Sequence, residues 1–274
     1  MSCITVDQDK CKKDGLCVAD CPLGVLRREK DGGPATYPGI SEELCIDCGH
    51  CVAVCPYGAL DQRAMQAEQC LPLRKDLMPG PEQVEQLMLS RRSIRQYKPE
   101  PVEREKLQKL IELARYAPSG HNVQPLAWIV LTNPRDVRRC AELVIDWMQG
   151  LVDQKSKMAE LLHMEFVIKV WRKGVDRILR GAPHLVVAHA PKNERTAPAA
   201  AVGAVSYLEL AAPVLGLGSC WAGYLHLAAQ EYDPLRQHIG IPEENTSYGA
   251  VMLGYPAARY YRIPLRKKPE ITWR

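Results

Sequence analysis

From residue 82 onward, apolar positions recur in blocks of helical and strand spacing. In EQVEQLML, Val84, Leu87 and Met88 fall on one helical face, and the helix is expected to run directly into SRRSIRQY before KPEP interrupts it. VEREKLQKLIELARYAP repeats the period with Leu107, Leu110, Ile111 and Ala114. Glu103 and Glu105 sit where the helix dipole favours acids, and Pro118 ends the helix. LAWIVLT reads as a buried strand, after which Asn133 and Pro134 supply the N-cap and first residue of a helix over DVRRCAELVIDWMQ. Residues 151–180 read as further helix and HLVVAHA as a strand. APAAAVGAVSYLELAAPVLG reads as an apolar and therefore buried helix, and GAVMLGY as a strand. The mixture of helices and strands predicts an α/β or α+β domain.

The first 60 residues hold no such blocks, apart from a short strand at CITVD. Residues 61–82 lack clean periodicity and end in Pro79, Gly80 and Pro81, which break helices. The expected organisation is a small domain over 1–65, a linker over 66–82 and a larger domain over 83–274. Charge follows the same division: residues 1–60 hold nine acids and six bases, net −3, so the remaining 214 carry +7. The overall +4 is too small to demand a nucleic-acid partner. No apolar run is expected to span a bilayer, and Asp7, Asp9 and Lys10 stand where a signal peptide needs an apolar core. The reading is a cytoplasmic chain with no membrane partner.

Eight of the eleven cysteines lie within the first 55 residues, which points to a metal site. A disulfide framework suits small secreted domains, and neighbours at CxxCxxC spacing would be strained as staples. CIDCGHCVAVCP sets Cys45, Cys48, Cys51 and Cys55 in C-x2-C-x2-C-x3-C-P, the bacterial iron–sulfur run in which three thiolates hold one cluster and the fourth reaches another. Structural zinc usually draws two separated ligand pairs instead. Upstream, CKKDGLCVADCP places Cys11, Cys17 and Cys21 at the first, third and fourth positions of a second run, with Asp14 at the second. This internal duplication, with CPLGVL matching CPYGAL, resembles the two-cluster bacterial ferredoxins over about residues 1–63.

The resemblance implies crossed ligation. Cluster I would take Cys11, Cys17 and Cys55, with Asp14 or an open corner completing it. Cluster II, a 4Fe-4S cluster, would take Cys45, Cys48, Cys51 and Cys21. Carboxylate oxygen is harder than thiolate, so an iron held by Asp14 exchanges more readily, and cluster I is expected as 4Fe-4S or 3Fe-4S. Cys3, expected in the first strand, ranks below Asp14 for that corner. Cys3, Cys70, Cys140 and Cys220 are read as ordinary buried residues.

Three loop segments complete the picture. Arg91-Arg92-Ser93-Ile94-Arg95 offers guanidiniums and a hydroxyl to a phosphate or an electron-rich carbonyl edge. PSGHNVQP offers amides at Asn122 and Gln124, and the glycines of GLGSCWAGYL permit close approach of a flat ligand. With MLGYP and PLRKKP following in order, these segments resemble the nitroreductase family of FMN enzymes over about residues 83–274. The implied architecture is α+β: a small ferredoxin-like iron–sulfur domain followed by an α+β sandwich that forms a homodimer with FMN at the subunit interface.

By that resemblance, Arg91, Arg92 and Ser93 bind the FMN phosphate and ribityl chain. Arg95 lies near the N1 and O2 edge of the ring. Pro118, Ser119, Asn122 and Gln124 approach the ring from the second motif, with Asn122 at its pyrimidine edge or N5. Backbone groups near Cys220, Trp221 and Gly223 line the ring, and Arg266 and Lys268 return to the phosphate. Ala222 stands where family members often carry a glutamate. His121 is read as a surface or packing residue, the Cys220 thiol as structural, and no catalytic side chain is assigned. The helical stretch over 141–180, with Trp147, Met148, Met158, Met164 and Trp171, is expected to form a lid over the pocket or to pack between helices.

Iron–sulfur centres pass single electrons, and a flavin stores two and delivers a hydride equivalent. The expectation is an FMN-dependent oxidoreductase. Electrons would come from reduced ferredoxin or NAD(P)H, pass from the clusters to FMN and leave to a nitroaromatic, quinone or related organic acceptor. An electron-transfer or redox-sensing module without a dedicated small substrate is the alternative.

Overall fold

Glycines and ligand-type cysteines keep the elements short in the first part of the chain. The computed structural model describes residues 3–37 and 39–274. It shows β1 (Ile4–Val6), α1 (Leu16–Ala19), β2 (Leu26–Arg28), β3 (Pro34–Thr36), α2 (Ile40–Leu44), α3 (His50–Val54) and β4 (Leu60–Gln62). β1 pairs antiparallel with β4, and β2 with β3. The duplication recurs in the backbone: α1 follows Gly15 at φ 78° and α3 follows Gly49 at φ 72°. That left-handed conformation favours glycine, and a Cβ on Gly15 would lie 1.7 Å from the Arg28 guanidinium. Cys3, Ile4, Cys17, Leu26, Cys51, Val52 and Leu60 form a small core of their own.

Residues through Met78, together with 121–123, make one compact unit; 79–120 and 124–274 make the other. Residues 66–78, expected as linker, therefore group with the first unit. They form two single 3-10 turns, the first closed by reciprocal Gln66–Gln69 bonds and tied down by the Ala67 amide, which donates to Asp61 Oδ1 at 2.8 Å.

The second unit contains α4 (Pro81–Ser90), α5 (Arg104–Ala114), β5 (Ala127–Leu131), α6 (Pro134–Asp153), α7 (Lys157–Leu161), α8 (Met164–Trp171), β6 (His184–Pro191), α9 (Ala197–Val214), β7 (Gly218–Trp221), α10 (Gly223–Glu231), α11 (Asp233–Ile239) and β8 (Asn245–Gly254). Its sheet is antiparallel, in the order β5-β6-β8-β7. β6 and β8 are interior and covered on both faces, which is why LVVA of β6 and AVML of β8 run continuously apolar. Alternate residues serve opposite layers. Leu185, Val187, Cys220, Ala250 and Met252 join the core under α6, α8, α10 and α11, whereas Val186, Val251 and Leu253 join the one under α5 and α9. Full burial of each large apolar side chain contributes about 1.5–3 kcal/mol.

Four expectations change. The GLGSCW segment is an edge strand, β7, rather than a turn. The helix read over 151–180 breaks at Lys155 and His163, both at positive φ, and ends at Trp171; beyond it Asp176 binds backbone amides that a helix would use internally. α4 stops at Ser90, with Arg91 already extended. Finally, α9 is buried on one face only: its Ala200, Ala204 and Leu208 side packs inward, while Val202 is 56% and Val214 70% exposed. Its 18 residues are long and apolar enough to cross a membrane, contrary to the expectation of no such run, yet its inner face forms part of the core.

Candidate functional site

In the first unit the cysteines separate into two groups. Cys21, Cys45, Cys48 and Cys51 line one cavity, together with Ile4, Pro22, Val25 and Ile46. Cys17 instead feels the nearby thiols of Cys55 and Cys11. Each tight turn therefore directs the last cysteine of its own run toward the other run's group. Burial pushes the Cys51 thiol up to about 11 and raises Cys17 as well, so loading these thiols with metal must release protons. The Ala59 amide donates to Cys55 Sγ at 3.4 Å, the kind of bond that orients a ligand sulfur. A soft donor set in an apolar cavity fits iron–sulfur chemistry.

Asp14 is exposed, and its Oδ1 accepts the Leu16 amide at 3.1 Å. Cys3 is fully buried but lies against Cys45, not in the group of Cys11, Cys17 and Cys55. Cys70, expected to be buried, is exposed, because it follows a surface 3-10 turn rather than a core element.

In the second unit the candidates of the first motif, Arg91 to Arg95, gather along the outer edge of β7. Ser93 bridges Ser219, and the Ile94 amide donates to the Ser219 carbonyl at 2.9 Å. Segment 91–97 thereby covers the open edge of the sheet. It passes from one face to the other. Arg91 pairs at 3.5 Å with Glu209 of α9, whereas Arg95 lies beside Cys220 on the opposite face. Burial raises the Glu209 carboxyl, opposed by Arg91 and by hydrogen bonds from Trp221 and Ser219. Arg91, Arg92, Glu209, Ser219 and Arg259 line a cavity of about 270 Å3. Arg92 is turned onto the carbonyls of Leu89 and Arg91.

β7 leads straight into α10. Ala222 cannot cap that helix, so its first-turn amides carry no side-chain acceptor, and a Cβ on Gly223 would meet no atom of the chain. With its first-turn amides unclaimed by any side chain, this helix start fits the electron-rich edge of a flavin ring. Ser119 and Gln124 line a second cavity, of about 100 Å3, against Ala200 and Ala204 of α9. The Gln124 amide donates to Ser119 Oγ, and Pro118 is exposed. Asn122 belongs with the first unit, where its amide donates to the carbonyls of Asp47 and Ile46. His121 is exposed. Arg266 and Lys268 lie in an exposed C-terminal segment with no bond to Arg91, Arg92 or Arg95 among the described residues. The stretch proposed as a lid is largely core: Trp147, Met148 and Met164 are buried.

Sequence reasoning missed Glu209 and Arg259. The only signal for Glu209 was a lone acid in an otherwise apolar helix.

Residues 88–255 match the model of the nitroreductase family, and residues 9–60 match a 4Fe-4S dicluster domain. An NADH dehydrogenase of Thermus thermophilus is 28% identical over 203 residues, 68% of this chain and 93% of the relative. A putative NADH dehydrogenase/NAD(P)H nitroreductase of Archaeoglobus fulgidus is 26% identical over 173 residues, 62% and 83% of the two chains. The crystal structure of a nitroreductase with bound FMN from Bacteroides fragilis superposes with a TM-score of 0.57 at 24% identity, over 69% of this chain and 97% of that one. With more than half of its residues matched by that family model, the chain belongs to the nitroreductase family of FMN oxidoreductases and carries a 4Fe-4S dicluster domain ahead of the matched region.

Proposed function

We propose that this protein passes electrons from two iron–sulfur clusters to FMN and on to a small organic acceptor such as a nitroaromatic or a quinone. What supports the reading is the segregation of seven cysteines into the groups 11/17/55 and 21/45/48/51, in a chain whose other unit aligns arginines along the β7 edge. Bound FMN supplies storage of two electrons and their delivery as a hydride equivalent, and the clusters exchange electrons singly.

The chain's own residues bind and orient. Arg91, Arg92 and Ser93, with Arg259, would hold the phosphate and ribityl end; Arg266 and Lys268 are further phosphate candidates. Arg95 would meet the N1 and O2 edge, and the amides of Gly223 and its neighbours the N5 side. Ser119, Gln124 and the backbone around Cys220 and Trp221 would border the ring. Asp14 is the proposed fourth donor of cluster I, through the carboxylate oxygen not bonded to Leu16. A homodimer is part of the proposal: α4 exposes Val84, Met88 and Leu89 and α9 exposes Val202 and Val214, apolar positions that a second copy of the chain would cover.

The test is anaerobic. Protein with clusters and flavin intact receives reduced ferredoxin or NAD(P)H in parallel, and bleaching of the flavin absorbance is followed. Reduction by ferredoxin that is lost in Cys51→Ala supports the wire. Equally fast reduction by NAD(P)H with and without that cysteine assigns the clusters another purpose.

A further inference from the structure

The turn from Cys45 to Cys48 carries two of the four cysteines that line one cavity of the first unit, and side chains outside that cavity grip its backbone. Asp47 stands at φ 53° in the middle of the turn. Its carboxylate accepts the side-chain amide of the buried Gln62 and, at 2.9 and 3.1 Å, the Arg63 guanidinium. Arg63 donates as well to the carbonyls of Glu42 and Cys45, each at 3.1 Å. The next two carbonyls are taken by one further group. Asn122 Nδ2 donates to Ile46 at 3.4 Å and to Asp47 at 3.0 Å.

Asn122 makes these bonds from a strained backbone. His121 at φ 49° and Asn122 at φ 54° are consecutive left-handed residues, and residues 121–123 group with the first unit although the chain on either side of them does not. Histidine and asparagine tolerate that conformation better than most side chains, but it persists only where the surroundings hold it. The two carbonyl bonds are such a hold. They also orient the turn. In a trans peptide the carbonyl and the N–H that follows it point in opposite directions. Holding the Ile46 and Asp47 carbonyls toward Asn122 therefore turns the amides of Asp47 and Cys48 away from it. Among the described residues, Ile46 and Cys48 line the cysteine cavity and Asn122 does not. Backbone amides directed at ligand sulfurs are one of the levers that orient a cluster's ligands and set its potential.

Resting on the two-cluster reading above, we infer that Asn122 is a positioning residue for cluster II, fixing the Cys45–Cys48 turn so that the amides of Asp47 and Cys48 are presented to the cavity. This role differs from the contact with the flavin ring that its sequence motif implies.

The test uses the full chain with clusters and flavin loaded, as N122A, N122L and N122Q, with V123A as the control at an exposed neighbour. Thermal unfolding of each variant reports folding. Redox titration followed by electron paramagnetic resonance reads the midpoint potential of each cluster, and bathophenanthroline reads the rate of iron loss. Fluorescence titration of FMN-free protein reads FMN affinity. N122A and N122L, which lack the donor, should lower the potential of one cluster only and speed loss of its iron about tenfold. N122Q, which keeps an amide donor, should restore most of both. N122A matching V123A in potential and in iron loss overturns the inference. So does an N122A that weakens FMN while both clusters keep their potentials, which assigns the side chain to the flavin. A wild-type chain that assembles no clusters, by iron and sulfide analysis, defeats the two-cluster reading instead. Hydrogen exchange of the metal-free chain then decides the clamp: faster exchange of segment 45–48 in N122A than in V123A supports it, and equal rates reject it.

Discussion

At Gly223 the chain leaves space that no atom of its own fills. Gly223→Leu is therefore expected to preserve the thermal midpoint of the FMN-free protein while weakening FMN at least about tenfold, read by fluorescence titration. Parallel loss of both would assign the glycine to folding. Glu209 makes a pH-dependent prediction. Burial raises its carboxyl, so the folded state holds a proton that the unfolded chain has released, and stability falls as pH rises above the ordinary carboxylate range. Glu209→Gln removes that slope: relative to wild type, the FMN-free variant gains stability from pH 5 to pH 8 in denaturant titrations. A constant difference across that range would refute the assignment. At this scale the sequence points to the residues that motifs carry, such as Arg91, Ser93 and the seven cysteines, which the structure groups at the β7 edge and in two sets. Glu209 and Arg259 stayed hidden because they meet Arg91 and Arg92 only once segment 91–97 lies on the edge of β7.

Elements were legible where burial is one-sided or complete. β6, β8, α5 and α6 follow from period and caps, Asn133 accepting the Arg135 amide as expected of an N-cap. β5 forms where expected but is not the buried strand it was read as: it lies at the sheet edge with Leu131 alone buried. β7 was not legible, since the four residues Gly218, Ser219, Cys220 and Trp221 carry no strand period; pairing with β8 makes it a strand. α9 misled in a different way, because an apolar composition does not reveal which neighbour covers each face. Met88→Glu on α4 and Val202→Glu on α9 touch exposed positions, so the chain's own fold should change by no more than about 0.5 kcal/mol. Each should weaken the proposed homodimer about a hundredfold by burying an unpaired charge, seen as monomer in light scattering. Unchanged mass for both would place the dimer contact elsewhere. In the first unit, Cys51→Ala should remove about half of the bound iron and sulfide, whereas Cys140→Ala, inside the α6 core, should remove none.

Across the whole chain, His184, His189 and His226 are all held below the ordinary value of 6.5 by burial. Their partners fit the neutral form: His184 accepts the Val102 amide, His189 meets Asn245, and His226 meets Ser247. The unfolded chain thus binds more protons than the folded one below that pH. Stability present above 6.5 drains as the solution is acidified, opposite in sign to the Glu209 contribution. The FMN-free protein should show a lower urea midpoint at pH 5.5 than at pH 7.5, and His226→Gln should reduce that difference. The sequence conveyed the division into a cysteine-rich part and an α+β part through composition, but not that residues 66–78 stay with the former. Those residues also carry the chain's exposed thiol, Cys70. A maleimide applied to intact protein should modify one sulfur per chain, and every cluster that disassembles should add its freed thiols to that baseline. Labelling stoichiometry thus becomes a clock for oxygen damage, started by a single surface cysteine.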